Sequence, residues 1–279
     1  MPLSYEQRVL RVLQYIHDNP AGDLSLDALA EVGTTSRFHW HRVFQALCGE
    51  TCAQAVRRIR LSLAANWLIN SESPVADIAA KAGYPNLQSF TRAFNDRFGV
   101  PPAAFRKAGL PGPLQQQQLR GEFTMFKIEL AKVPQRQLGA ILHTGAYNAI
   151  GQCFENLATI ATTQNLWPQV RGMIGVHYDD PNIVAEADLR SHAGLWLTDG
   201  TTVPEPLQSI VLSATNCAVL HYKGPYTAIK VAYDYLYGDW LPKSGSEPAD
   251  APPYEIYLNS PADTAEADLL TDIILPLAS

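Results

Sequence analysis

Two hydrophobic periods divide this chain. From Tyr5 to about Ala108 apolar residues return every three or four positions, the spacing of buried helix faces. Beyond Glu122 they alternate in runs such as MFKIELAKV, RQLGAILHT and SIVLSATNCAVLHYKG, the spacing of strands. Between them lies LPGPLQQQQLRGE (Leu110–Glu122), which offers no apolar face to bury and reads as a linker. The pattern predicts a two-domain protein: an all-α domain over 1–109, a linker over 110–122, and an α+β domain with an antiparallel sheet over 123–279.

Each half carries an internal duplication. In the first, Asp27-Ala-Leu-Ala-Glu-Val-Gly33 recurs as Asp77-Ile-Ala-Ala-Lys-Ala-Gly83, and Arg42, Phe44 and Gly49 recur as Arg92, Phe94 and Gly99, all at an offset of 50. In the second, Gly145-Ala-Tyr147-Asn-Ala149-Ile150 recurs as Gly224-Pro-Tyr226-Thr-Ala228-Ile229 at an offset of 79, and VHYDDP (Val176–Pro181) recurs loosely as IYLNSP (Ile256–Pro261).

Each unit of the first repeat reads as short helix, glycine, turn, second helix: a helix-turn-helix stated twice. Leu26, Leu29 and Ala30 face inward, Gly33 supplies a turn at positive φ, and Ser36 caps a helix carrying Phe38, Val43, Phe44 and Leu47. Unit two repeats this with Ile78, Ala79, Gly83, Asn86 as cap, Phe90, Ala93, Phe94 and Phe98. A helix from about Cys52 to Asn70 holds the units ~25 Å apart at 1.5 Å per residue, near one turn of B-DNA. The second helices carry Arg37, His39, His41 and Arg42, and Asn86, Gln88, Ser89, Thr91 and Arg92. Arginine suits guanine or phosphate, and amides suit adenine.

Charge sharpens this division. Residues 1–110 hold 12 Lys/Arg against 9 Asp/Glu, and residues 111–279 hold 9 against 18, so a net +3 half is joined to a net −9 half. No apolar run approaches the ~20 residues of a membrane span, and four cysteines without a Cys-x-x-Cys pair indicate neither zinc nor a disulfide framework. The expectation is a cytoplasmic protein with no cofactor, no metal and no membrane partner.

The acidic half reads as strand, glycine bend, helix and two strands, repeated: RQLGAILHTGAY, the helix Ala149–Thr162, MIGVHYDD and AGLWLTD, then NCAVLHYKGPY, AIKVAYDYLYGDWL, YEIYLN and TDIILPL. Two such units related by a pseudo-twofold join in a curved surface with a cleft. In Tyr254-Glu-Ile-Tyr-Leu-Asn, alternation puts Glu255 and Tyr257 on one face and Ile256 and Leu258 on the other. An acid beside an aromatic suits a lipophilic cation, and an exposed strand carboxylate fits the same pattern. Tyr147 and Tyr226 follow the two glycine bends symmetrically and are candidates for the cleft rim. His143 and His221 occupy equivalent strand positions and read as packing, as Tyr233 and Tyr237 do in part.

Residues from about 5 to 108 resemble the DNA-binding domain of the AraC/XylS family of bacterial transcription regulators, through TTSRFHWHRVFQALCGET and PVADIAAKAGYPNLQSFTRAFNDRFGVPPAAFRKAG (Pro74–Gly109). The resemblance implies that Phe38, His41 and Arg42 approach bases in one major groove of promoter DNA, and Gln88, Ser89 and Arg92 in the next. It leaves Arg57, Arg58 and Arg60 as structural or phosphate-contacting groups. Residues about 124–279 are similar to the GyrI-like small-molecule-binding domain of Rob- and BmrR-type regulators, through LHYKGPY (Leu220–Tyr226), GDWLPKSG (Gly238–Gly245), PPYEIYLNSP (Pro252–Pro261) and TDIILPL. That implies an effector pocket with Glu255 as its acid and Trp240 and Tyr257 as walls. The expected function is a transcription regulator that binds an amphipathic or cationic small-molecule effector, with RNA polymerase as a further partner. The alternative is a GyrI-like hydrolase of small toxic compounds fused to a DNA-binding domain, in which the glutamate acts as base.

Overall fold

The computed structural model describes residues 3–108 and 125–278, which fall into two compact units. The linker residues Leu110–Glu122 lie outside the described residues.

The first unit is helical: α1 (Tyr5–Asp18), α2 (Leu26–Val32), α3 (Arg37–Cys48), α4 (Cys52–Asn70), α5 (Val75–Lys81), α6 (Leu87–Phe98) and α7 (Pro102–Ala108). Local chemistry sets the ends. Ser4 and Thr51 form capping boxes with Gln7 and Gln54, each satisfying two otherwise unpaired backbone N–H groups. Ser36 and Asn86 cap α3 and α6 as expected. Both helices end on a left-handed glycine, Gly49 at φ 70° and Gly99 at φ 74°, where a Cβ would be strained.

α4 is the axle of the unit. Its Cys52, Ala55, Val56 and Ile59 pack into a first core with Val12, Ile16, Leu29, Trp40 and Phe44. Its Leu61, Ala64, Ala65 and Leu68 enter a second core with Ile78, Phe90, Phe94 and Phe105. The arginines of α4 lock this frame. Arg60 Nε donates to the Pro20 carbonyl at 2.6 Å, Arg58 forks onto buried Glu50, and Arg57 meets Asp96 at 3.2 Å. Arg60 is therefore structural.

One turn departs from expectation. Gly33 does not take a positive φ (it lies at −72°), and the left-handed residue is Thr34 at φ 50°. A Cβ on Gly33 would stand 2.8 Å from the Trp40 ring, so this glycine makes room for the large core side chain. Its repeat partner Gly83 does lie at φ 76°, against the Pro20 carbonyl and Arg60.

The second unit is one eight-stranded antiparallel sheet: β1 (Lys127–Val133), β2 (Arg136–Thr144), β3 (Val170–His177), β4 (Arg190–Leu197), β5 (Gln208–Leu212), β6 (Thr215–Lys223), β7 (Tyr254–Tyr257) and β8 (Leu270–Leu277). The spatial order β1-β6-β8-β7-β3-β4-β2-β5 is a pseudo-twofold about the β7–β3 junction. The second strand of each copy ends in a glycine bend at positive φ, Gly145 or Gly224, followed by a one-turn 3-10 helix and an α-helix. These helices are α8 (Gly151–Thr163) and α9 (Lys230–Tyr235). The duplication also reaches further than its sequence signal suggested. Glu186–Asp188 and Glu266–Asp268 form equivalent 3-10 turns, and Asp179 and Asn259 accept from the backbone N–H groups of Arg190 and Leu270, both at 2.8 Å. The expected single helix over Ala228–Leu241 is broken: α9 gives way to a π-helical turn, Leu236–Trp240, then α10 (Leu241–Ser244). Wide turns of this kind are frequent at functional sites.

Candidate functional site

The reading face of the helical unit is set by how α3 and α6 bury their apolar sides. On α6, Phe90, Ala93 and Phe94 face the core, which leaves Gln88 and Arg92 exposed and Ser89 half-buried. Asn86 is spent on its cap, accepting from Ser89 N–H at 2.8 Å. α3 is packed over a broader arc: His39, Trp40, His41, Val43 and Phe44 are all buried, and Phe38 and Arg42 are half-buried. His41, expected at a base edge, is only 5% exposed. α3 packs against α1, α2 and α4, and this leaves His41 little free surface.

In the sheet unit the two copies meet where Gly175 of β3 stands opposite Glu255 of β7. Glu255 is 6% exposed. Tyr233 of α9 donates to its Oε1 and Tyr257 to its Oε2, both at 2.9 Å. His177 Nε2 stands 3.5 Å from Oε2. Alternation on β7 thus puts Glu255 and Tyr257 on one face, as expected, while Ile256 enters the core on the other. Rings surround the carboxylate. Phe154 of α8 and Tyr226 pack edge-on against Tyr257 at 5.2 and 5.3 Å, Tyr147 packs against His177 at 4.7 Å, and Tyr233 stacks on Tyr237.

These contacts set the charge state. Burial pushes the Glu255 carboxyl up, but His177 and the two phenol donors outweigh it and hold the acid below its ordinary range. Tyr257 moves the other way. Burial first, then the carboxylate beside it, hold its phenol well above its usual value, so it remains a proton donor. Tyr226 is raised for the same two reasons.

The remaining expected positions divide. Tyr226 joins the ring cluster, whereas Tyr147 uses its hydroxyl to accept from Asp179 N–H at 2.9 Å while its ring faces His177. Trp240 is half-buried at the end of the π turn and makes no hydrogen bond to Glu255 among the described residues. The residues that sequence reasoning missed are Tyr233, read in part as packing, and His177. A signal for His177 was present, because the VHYDDP/IYLNSP repeat makes it the counterpart of Tyr257. His143 and Cys153 approach one another, with Sγ 3.8 Å from Nδ1, but burial raises the Cys153 thiol, which is the wrong direction for a nucleophile. A cleft of about 480 Å³ opens within the helical unit between Leu24, Val56, Arg57, Arg60 and Tyr84. Among the described residues no three His, Cys, Asp or Glu side chains converge as a metal site, and no helix is long and apolar enough to cross a membrane.

A double helix-turn-helix presenting Arg and Gln side chains, joined to a duplicated sheet closing on a buried carboxylate, defines a DNA-binding regulator with a small-molecule-binding module. Residues 126–278 match the GyrI-like small molecule binding domain, and residues 29–108 match a helix-turn-helix domain. Over 101 residues the chain is 31% identical to the multiple antibiotic resistance protein MarA of Escherichia coli (strain K12), covering 36% of this chain and 80% of MarA. It is 31% identical over 104 residues to the uncharacterized HTH-type transcriptional regulator YbfP of Bacillus subtilis (strain 168), covering 37% of this chain but only 35% of YbfP. Among solved structures it is similar to EcmrR in a complex with DNA, with a TM-score of 0.47 and 16% identity over 55% of this chain and 58% of that one. The chain belongs to the AraC-type helix-turn-helix transcription regulators that carry a GyrI-like effector-binding domain.

Proposed function

We propose that this regulator is cytoplasmic, binds promoter DNA through α3 and α6, and takes an amphipathic cation as its effector at Glu255. The observation that carries the ligand class is the placement of the Glu255 carboxylate, 6% exposed, bonded by the Tyr233 and Tyr257 phenols and surrounded by aromatic rings. An ionised acid in such a setting is costly to desolvate, and a cation offsets that cost through charge and ring faces together. Phe38, Arg42, Gln88, Ser89 and Arg92 are the proposed DNA contacts. Tyr226, Tyr257 and Tyr233 are the proposed pocket walls, with Tyr147 and Trp240 at its margin. Effector binding is proposed to bias how the bound regulator engages RNA polymerase.

Calorimetric titration of the full chain with tetraphenylphosphonium, benzyltriethylammonium, neutral triphenylphosphine oxide and anionic tetraphenylborate tests the ligand class. Saturable heat for the cations, reduced at least tenfold in affinity by Glu255→Gln, supports it. Equal binding of neutral, anionic and cationic probes refutes it. A continuing heat that ends with a chemically altered probe would make the pocket an enzyme site, the hydrolase alternative.

A further inference from the structure

The cleft in the helical unit carries positive charge that its own walls do not neutralise. Arg57 and Arg60, one turn apart on α4, line it together with Tyr84 from the turn before α6, and no carboxylate lines it among the described residues. Arg60 is set in place from both sides. Its Nε donates to the Pro20 carbonyl at 2.6 Å, and Gly83 leaves room for its tip, since a Cβ there would stand 2.7 Å from an Arg60 Nη. The two Nη groups of Arg60 and the Tyr84 hydroxyl have no hydrogen-bond partner among the described residues. The Tyr84 ring is fixed by an edge contact with Phe90 at 5.3 Å. Burial raises its phenol and the guanidiniums of Arg57 and Arg60 pull it back down, so both cations act on the hydroxyl. Arg57 meets Asp96 at 3.2 Å with both side chains 55% exposed, a solvent-screened pair that a competing anion can replace.

The other walls are apolar: Leu24, Ala53, Val56 and Ala93. The cleft measures about 480 Å³, inside the range of roughly 300–1,000 Å³ typical of small-molecule sites. A bare phosphate would use the donors and leave these walls empty, whereas a ring bearing a carboxylate uses both.

We propose that this cleft binds a small aromatic carboxylate, its anion taken by Arg57, Arg60 and the Tyr84 hydroxyl and its ring lying against Leu24, Val56 and Ala93. Guanidinium forks match a carboxylate in shape as well as charge. The inference is independent of the Glu255 reading, because the site belongs to the other unit and selects the opposite charge. Its walls also come from both helix-turn-helix repeats: Leu24 precedes α2 of the first, and Tyr84 and Ala93 belong to the second. A ligand there bridges the supports of the two reading helices.

The test uses the full chain carrying Glu255→Gln, so that the sheet unit's acid plays no part. Naphthoate, its neutral isostere naphthamide and inorganic phosphate are titrated by calorimetry. Naphthoate should bind saturably, and naphthamide and phosphate about tenfold or more weaker, since charge-assisted bonds or ring contacts are lost. Arg57→Gln and Tyr84→Phe should each weaken naphthoate several-fold. Ala53→Trp, a change at an exposed residue that fills the cleft, should abolish binding while leaving the melting temperature unchanged. Equal binding of naphthoate and naphthamide overturns the charge reading. Phosphate binding as tightly as naphthoate overturns the carboxylate class and leaves a bare anion site of the kind a DNA phosphate fills. Naphthoate binding that survives Ala53→Trp, or no saturable binding at millimolar concentration, overturns the site itself.

Discussion

A methyl group added at Gly175 is expected to break a hydrogen bond on the neighbouring strand. The Cβ of Gly175→Ala would lie 2.6 Å from the Tyr257 hydroxyl, which donates to Glu255 at 2.9 Å. Ordinary contact needs a retreat of roughly 0.6–0.9 Å, which a ring wedged between Phe154 and Tyr226 cannot make while keeping that bond. A hydrogen bond to a charged group contributes about 1.5–3 kcal/mol, so Gly175→Ala should destabilise the sheet unit by that order. Tyr257→Phe removes the same bond together with the clashing oxygen. The double variant keeps only the lesser crowding against His177 Nε2 at 3.1 Å, so it should cost little more than Tyr257→Phe alone, giving a coupling that approaches the roughly 1.5–3 kcal/mol of the single variant where independent sites add within about 0.5 kcal/mol. Calorimetric melting of the full chain and its three variants, with urea unfolding followed by near-UV circular dichroism, measures the cycle. Strict additivity would refute the claim that Gly175 exists to let Tyr257 reach Glu255.

Three further outcomes follow from the geometry. Arg92→Ala on the exposed face of α6 should weaken operator binding by about 1–3 kcal/mol and relax one base position, read by selection from random duplexes; a uniform loss across all sequences would make Arg92 a phosphate contact. Gly83→Ala should destabilise the helical unit more than Gly33→Ala, because Gly83 adds left-handed strain and a backbone clash whereas Gly33 meets only the Trp40 ring; Trp40→Phe should relieve the second and not the first in melting experiments. Glu255 is held below its unfolded value, so its contribution to stability is present above about pH 4.3 and lost as pH falls through the lower folded value; acid unfolding of Glu255→Gln should lack that component, and identical acid profiles would count against an ionised native carboxylate.

The parts of this molecule legible in its sequence were those set by local periodicity. α4 runs from Cys52 to Asn70 and β2 from Arg136 to Thr144, as their apolar spacing implied, and Ser36 and Asn86 cap because their side chains reach backbone N–H groups nearby. Glu255 and Tyr257 share a face because strand side chains alternate. What escaped depended on partners distant in sequence. Gly33 looked like a turn glycine until Trp40 was seen to occupy its Cβ position, and His41 looked like a base reader until α3 turned out to be buried over a wide arc. The pairing of His177 with Glu255 arises only when β3 and β7 meet at the pseudo-twofold. The π turn after α9 has no periodic signature, since its five residues simply continue a helical pattern.

A cation at Glu255 is expected to change what the DNA-bound regulator does. Its most direct test is transcription in vitro from a promoter bearing the operator recovered by selection, with and without saturating benzyltriethylammonium. The cation should change transcript yield with wild-type protein and have no effect with Glu255→Gln. A cation response that persists in Glu255→Gln, or none in the wild type under conditions where calorimetry shows the pocket filled, would contradict it.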